Sequence, residues 1–161
     1  MAVVSTFAAR PLDRVSAGLR AGVSTGAPGR ETKANLLTTI AERAAGRTVV
    51  LTGDIHSNWV NDVKQGFDRP DRPVVATEFV GTSISSGGDG IDEWPQLARA
   101  RSENSHVKWQ NARRGYVRCD VTDREWRAEC RTVPFVTCPG APVETPTRWR
   151  LAHGRAGVER T

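Results

Sequence analysis

Between Arg30 and Gly53 the sequence changes period with almost no space for a connection. Ala34, Leu37, Ala41 and Ala44 recur at helical spacing with Leu36 and Ile40 beside them, and Gly46 supplies a C-terminal stop. That predicts a helix of about four turns. The run Arg47-Thr48-Val49-Val50-Leu51-Thr52 then ends in Gly53 and reads as a short, buried parallel strand. Helix, tight turn and strand make half of an α/β unit, so an α/β fold is expected. A chain of 161 residues has room for one ordinary domain. It contains no apolar run of the roughly 18 residues a membrane helix needs, so no membrane partner is expected. The stretch Met1 to Ala9 is short, broken by Ser5 and Thr6, and gives no convincing export signal.

Residues 1–29 lack periodicity and hold Pro11, Gly18, Gly22, Gly26, Pro28 and Gly29. They read as a loop or poorly ordered N-terminal arm, with at most a short helix around Asp13 to Leu19. Residues 30–161 form the domain. After Trp59 comes a polar loop through Asp68 to Pro73, then a strand over Val74 to Val80, and then Gly81 to Gly90, a flexible loop of small residues. Ile91 to Ala100 suits a helix whose start Pro95 limits. Phe135 to Pro146 is punctuated by prolines, and Thr147 to Ala152 fits a last strand.

Two stretches near the C-terminus alternate with period two. Val117, Cys119 and Val121 alternate against Tyr116, Arg118 and Asp120, and Trp126, Ala128, Cys130 and Thr132 against Arg127, Glu129, Arg131 and Val133. A turn over Thr122 to Glu125 makes them an antiparallel hairpin with one apolar and one charged face. Symmetric pairing sets Cys119 opposite Ala128 and Cys130 opposite Val117. The two thiols are then diagonal, which favours buried free cysteines over a disulfide.

The net charge of +5 first suggests nucleic acid. Residues 54–93, however, hold eight acids against three bases, so an acidic centre lies between basic flanks. That distribution suits a cation site approached by an anionic substrate better than a stripe that follows phosphates. Arg113, Arg114, Arg118, Arg124, Arg127 and Arg131, with Trp109 and Trp126 nearby, could serve nucleic acid, but the interleaved Asp120, Asp123, Glu125 and Glu129 favour a solvated charged face.

The sharpest chemical signal is Gly53-Asp54-Ile55-His56 at the end of the apolar strand, where open α/β sheets place ligands. A carboxylate and an imidazole two residues apart suit Fe, Mn or Zn, with Ca also served through oxygen. A hydrogen-bonded structural pair is the alternative. Asn58 could contact a phosphoryl group, bind a metal through its amide oxygen, or cap a short helix starting near Trp59. Gly81-Thr82-Ser83-Ile84-Ser85 departs from a nucleophile elbow at its fifth position. No phosphate-binding glycine motif occurs. His106 and His153 are isolated from other ligand types and read as surface or capping histidines.

Two blocks carry a resemblance. Val49 to Trp59 (VVLTGDIHSNW), followed by Ala76 to Gly87 (ATEFVGTSISSG), resembles the C-terminal part of PhoD-like alkaline phosphatases, and Arg114 to Val117 and Val136 to Val143 are similar to the family's closing segment. The likeness covers about residues 30–161, so the domain is read as a partial PhoD-like metallophosphatase domain. It implies the C-terminal part of a calcineurin-like metallophosphoesterase β-sandwich flanked by helices, ending in the antiparallel hairpin. It also implies a phosphomonoester or phosphodiester hydrolase that takes a phosphate ester substrate and uses iron and calcium. By motif match, Asp54 and His56 are metal-cluster or phosphate-contacting residues, with His56 catalytic. Asn58 is substrate-binding, and Glu78, Thr82 and Ser83 support the site.

Family members run to several hundred residues and draw further ligands from upstream motifs that are not identifiable here. One Asp and one His are too few to hold two or three metals unaided. The expectation is a C-terminal fragment, inactive or weakly active alone, which is a gene remnant, the product of a mis-called start or half of a split protein. A non-catalytic module that complements a separate N-terminal half is the alternative. Full-length relatives are commonly exported, so localisation stays open.

Overall fold

The computed structural model describes residues 2–6, 29–66, 71–94 and 102–161. Two β-sheets pack face to face, and one helix covers the outer face of the larger. The helix α1 (Gly29–Arg43) leads into the strand β2 (Thr48–Thr52). The strands β3 (Asn58–Lys64), β4 (Val74–Val80) and β5 (Val107–Asn111) complete the first sheet with β1 (Ala2–Thr6), in the order β1-β2-β4-β3-β5. The second sheet is an antiparallel meander of β6 (Arg114–Val121), β7 (Glu125–Val133), β8 (Glu144–Ala152) and β9 (Glu159–Arg160).

The expected helix and the strands β2 and β4 stand where their periodicity puts them. On α1, Leu37 and Ile40 are buried against Val63, Val75 and Ala76, with Leu36 and Ala41 beside them. Ala34, assigned to the same stripe, is exposed. Between the sheets, Val49, Val60, Phe79 and Trp109 meet Trp126, Ala128, Cys130, Trp149 and Leu151. Burying each large apolar side chain in such a core is worth about 1.5–3 kcal/mol. The hairpin register is the one its alternation predicts: Cys119 faces Ala128 and Val117 faces Cys130. The charged face of that sheet is an ion-pair ladder in which Glu129 meets Arg118, Arg131 and Arg148, and Glu125 meets Arg127 and Arg150.

Three segments depart from the sequence reading. Ala2–Thr6, expected to be loop, is a strand parallel to β2, with Ala2 opposite Thr48 and Thr6 opposite Thr52. Its partner lies more than forty residues away, so no local pattern marks it. Asn58 starts a strand, so it caps no helix at Trp59. β3 looked like loop because Asn, Asp and Lys interrupt it. Lys64 is only half-buried, but Asn61 and Asp62 are buried with internal partners: Asn61 Nδ2 donates to Glu78 at 2.9 Å, and Asp62 pairs with Lys108 at 2.8 Å. Residues 91–94 are not helical. The rest of that expected helix, the expected helix at residues 13–19 and most of the N-terminal arm lie outside the described residues.

Candidate functional site

Strand order creates the site. β2 and β3 run in opposite directions with β4 between them, so the five residues 53–57 must cross the C-terminal end of β4. Two strand spacings are about 10 Å, less than the roughly 17 Å that five residues reach, so the connection must reverse direction and take up its excess length in local turns. The turns occur at Asp54 (φ 77°) and His56 (φ 53°), the two non-glycine residues with positive φ among the described residues. Left-handed backbone disfavours any residue with a Cβ, and such strain concentrates at functional sites. Ser57 is fully buried below the crossing: its Oγ donates to Ile55 O at 3.4 Å and accepts from Trp59 Nε1 at 2.8 Å. Asp54 and His56 themselves are exposed, and no hydrogen bond or ion pair engages either side chain among the described residues.

The second sequence block leaves the sheet at the same end. Thr52 lies opposite Val80 in parallel register, and Gly81 N donates to Thr52 O at 2.9 Å, extending the ladder by one residue. The Asp54–His56 crossing and the 81–92 loop are therefore neighbours. Gly87 makes the close approach: a Cβ there would stand 3.4 Å from His56 Nδ1 and 3.5 Å from Arg114 Nη2, and its φ of 85° also favours glycine.

The remaining expected site residues hold this frame. Asn58 is fully buried, donates Nδ2 to Arg113 O at 3.3 Å, and accepts from Thr82 N at 3.4 Å. Both ends of its amide are thus engaged in joining three segments. Glu78 lies buried in the sheet, accepting from Thr52 Oγ1 at 3.1 Å and from Asn61 Nδ2. It fixes the end of β2 just before the crossing. Ser83 Oγ donates to Ser86 O at 2.8 Å, and Ser83 O accepts from Gly115 N at 3.1 Å. The loop expected to be flexible is tied further by its acids. Asp89 accepts from the amides of Val136 and Thr137, and Asp92 pairs with Arg113 at 2.9 Å. The Val136 amide holds the Asp89 carboxyl below its usual range, and the Arg113 guanidinium does the same for Asp92.

Arg114 is the central residue that the sequence reading placed elsewhere. It is 6% exposed, and its guanidinium donates to His56 O at 2.6 Å, Gly88 O at 2.7 Å, Ser83 Oγ at 3.2 Å and Gly87 O at 3.3 Å. Burial alone pushes its pKa down from the ordinary value. Strand alternation puts Arg114 on the face of the exposed Tyr116 and Arg118, but the 81–92 loop covers that first position.

No group of three or more His, Cys, Asp or Glu side chains converges as a metal shell among the described residues. By donor type Asp54 offers an oxygen and His56 a nitrogen, which is fewer than a closed metal shell needs. His106 and His153 stand apart: His106 O accepts from Asp62 N at 2.8 Å, and His153 N donates to Arg124 O at 2.7 Å.

Residues 13–130 match the family of PhoD-like phosphatases. The chain belongs to that family. It is 38% identical over 121 residues to alkaline phosphatase D of Bacillus subtilis (strain 168), a match over 75% of this chain and 21% of that protein. A solved structure of PhoD superposes with a TM-score of 0.76 at 35% identity, covering 82% of this chain and 25% of the other. The chain therefore spans about a fifth to a quarter of the length of these relatives. In this PhoD-like fold both motif blocks meet at the C-terminal ends of β2 and β4 in the first sheet.

Proposed function

We propose that the chain is the strand-end portion of a metal-dependent PhoD-like phosphatase acting on phosphate esters, with Asp54 and His56 as metal-cluster or phosphate-contacting residues. The observation that carries this reading is the pair of left-handed turns that lift these two unengaged side chains over the end of β4. Strain at an exposed Asp and His, beside a loop tied down at Ser83, Asp89 and Asp92, is what a ligand site needs and a passive connection does not. Iron and calcium are the ions to which the family resemblance points. Bound metal would stabilise phosphoryl oxygens and acidify water. Asn58, Glu78, Thr82 and Ser83 act by holding the two loops, and the buried amide of Asn58 makes it a positioning group in preference to a substrate contact.

Because two ligands do not complete a shell, this portion works with acidic residues from outside the described set. The test is hydrolysis of p-nitrophenyl phosphate and bis-p-nitrophenyl phosphate by the purified chain with iron and calcium, alone and with the N-terminal portion of a PhoD-like relative. Turnover that appears on complementation and disappears in His56→Ala supports the reading. Turnover that His56→Ala leaves unchanged refutes it. Complementation that survives loss of both Asp54 and His56 would instead make the chain a non-catalytic module.

A further inference from the structure

We propose that Arg114 is the positioning residue of this site, a cationic clamp that locks the strained Asp54–His56 crossing to the glycine loop at residues 87–88. The proposal rests on the functional reading of that crossing and adds a residue to it. One planar guanidinium reaches both segments. Nη1 donates to the carbonyl of His56 at 2.6 Å, while Nε and Nη2 donate to the carbonyls of Gly88 and Gly87 at 2.7 and 3.3 Å. The same Nη1 reaches Ser83 Oγ at 3.2 Å, so the start of the glycine loop is held as well.

Each of these acceptors is a neutral oxygen, and the group is buried. A guanidinium without a carboxylate among these contacts is an inefficient way to stabilise a core, since a desolvated charge is costly unless paired. It is a good way to fix several carbonyl directions at once, because its donors form a rigid fork. The residue bonded to it is His56, whose backbone is left-handed and whose imidazole Nδ1 stands against Gly87. Arg114 itself begins β6, whose next residue, Gly115, donates its amide to Ser83 O at 3.1 Å. The clamp is therefore anchored in the second sheet and carries that sheet's rigidity to the metal-ligating end of the first.

Lysine keeps the charge and loses the fork, so Arg114→Lys separates the two. Amide order parameters from 15N relaxation on the full chain are the direct readout. Rigid backbone gives about 0.85 and flexible backbone below about 0.6. The expected result for Arg114→Lys is a fall from the first range to the second at His56, Gly87 and Gly88, with β7 and β8 unchanged. Mn2+ broadening of the His56 imidazole resonance should then require at least fivefold more metal. In Arg114→Ala, millimolar guanidinium should restore both readouts. Arg114→Lys carries the test if the alanine variant does not fold. Wild-type order parameters in Arg114→Lys, or a uniform loss of order across both sheets, would overturn the clamp. Absence of Mn2+ broadening at His56 in the unaltered protein would overturn the metal reading instead, and the order parameters would still decide the clamp.

Discussion

Replacing Asp54 or His56 by glycine should stabilise the fold while removing the proposed ligands. The φ angles of 77° and 53° are left-handed. A residue with a Cβ is disfavoured there by about 1–2 kcal/mol, with aspartate nearer the lower figure because its short side chain tolerates that region. Glycine removes this strain but loosens the unfolded chain by about 0.4–1 kcal/mol. The net gain is about 0.5–1 kcal/mol per site, His56 giving more than Asp54. Both side chains are exposed, so little packing is lost to offset it. Alanine at either site keeps the Cβ and the strain, which makes it the control. In urea unfolding, Asp54→Gly and His56→Gly should therefore exceed the matching alanine variants by that amount. A chain of this size should show a rise in Tm of about 1–4 °C. The two sites are two residues apart, so the double variant must be read through a double-mutant cycle. Metal-dependent hydrolysis by the complemented protein should fall with either glycine. Glycine variants no more stable than their alanine counterparts would refute the claim that this crossing stores strain.

Other perturbations test the frame around it. A Cβ at Gly115 would stand 1.9 Å from the carbonyl oxygen of Arg131, so Gly115→Ala must push β6 and β7 apart. It should cost roughly 3 kcal/mol or more in denaturant unfolding. The thiols should react with a maleimide in the order Cys138, Cys119, Cys130, because they are exposed, half-buried and buried in turn. Burial pushes the Cys130 thiol up to about 12, above its unfolded value of 9.0. The folded state thus holds that proton longer, and stability should be full below pH 9 and decline as pH rises toward 12. Asp89, Asp92, Glu125 and Glu129 are all shifted downward, so their contribution is present above the ordinary carboxylate range of about 3.9–4.3 and is lost as pH falls through their folded values. Acid unfolding followed by tryptophan fluorescence would show it.

The hairpin was legible to the residue because a two-residue pleat and a short turn are local facts. Nothing distant is needed to set Cys119 against Ala128. The same logic failed at Asn58–Lys64. Its polar residues read as loop, but Asn61 and Asp62 are buried with partners, Glu78 and Lys108, that lie seventeen and forty-six residues away, where no local pattern reaches. The motif drew attention to Asp54 and His56, and the structure puts both on the strained crossing. Arg114 was not legible, since its burial depends on a loop that returns from more than twenty residues earlier. For Asn58 the sequence shows that an amide is present and not which backbones it joins, here Arg113 O and Thr82 N.

The acidic centre changes most in meaning. Eight acids at residues 54–93 looked like a field that would draw cations. The structure assigns four of them to other work: Asp62 to Lys108, Glu78 to Thr52 and Asn61, Asp89 to the amides of residues 136 and 137, and Asp92 to Arg113. Asp54 is the acid on the crossing itself, and the buried guanidinium of Arg114 bonds the backbone of that crossing at His56 O. Among the described residues the crossing itself carries one carboxylate, Asp54, and one imidazole, His56, with the Arg114 guanidinium bonded to its backbone. On the proposed reading that arrangement binds metal weakly by itself, enough to broaden the His56 resonance, and draws a phosphoryl anion once metal is bound. If the strained pair closes a cluster whose other acids come from elsewhere, as proposed, the metal concentration needed for Mn2+ broadening at His56 should fall sharply when the N-terminal portion of a PhoD-like relative is added, and an unchanged requirement would count against it.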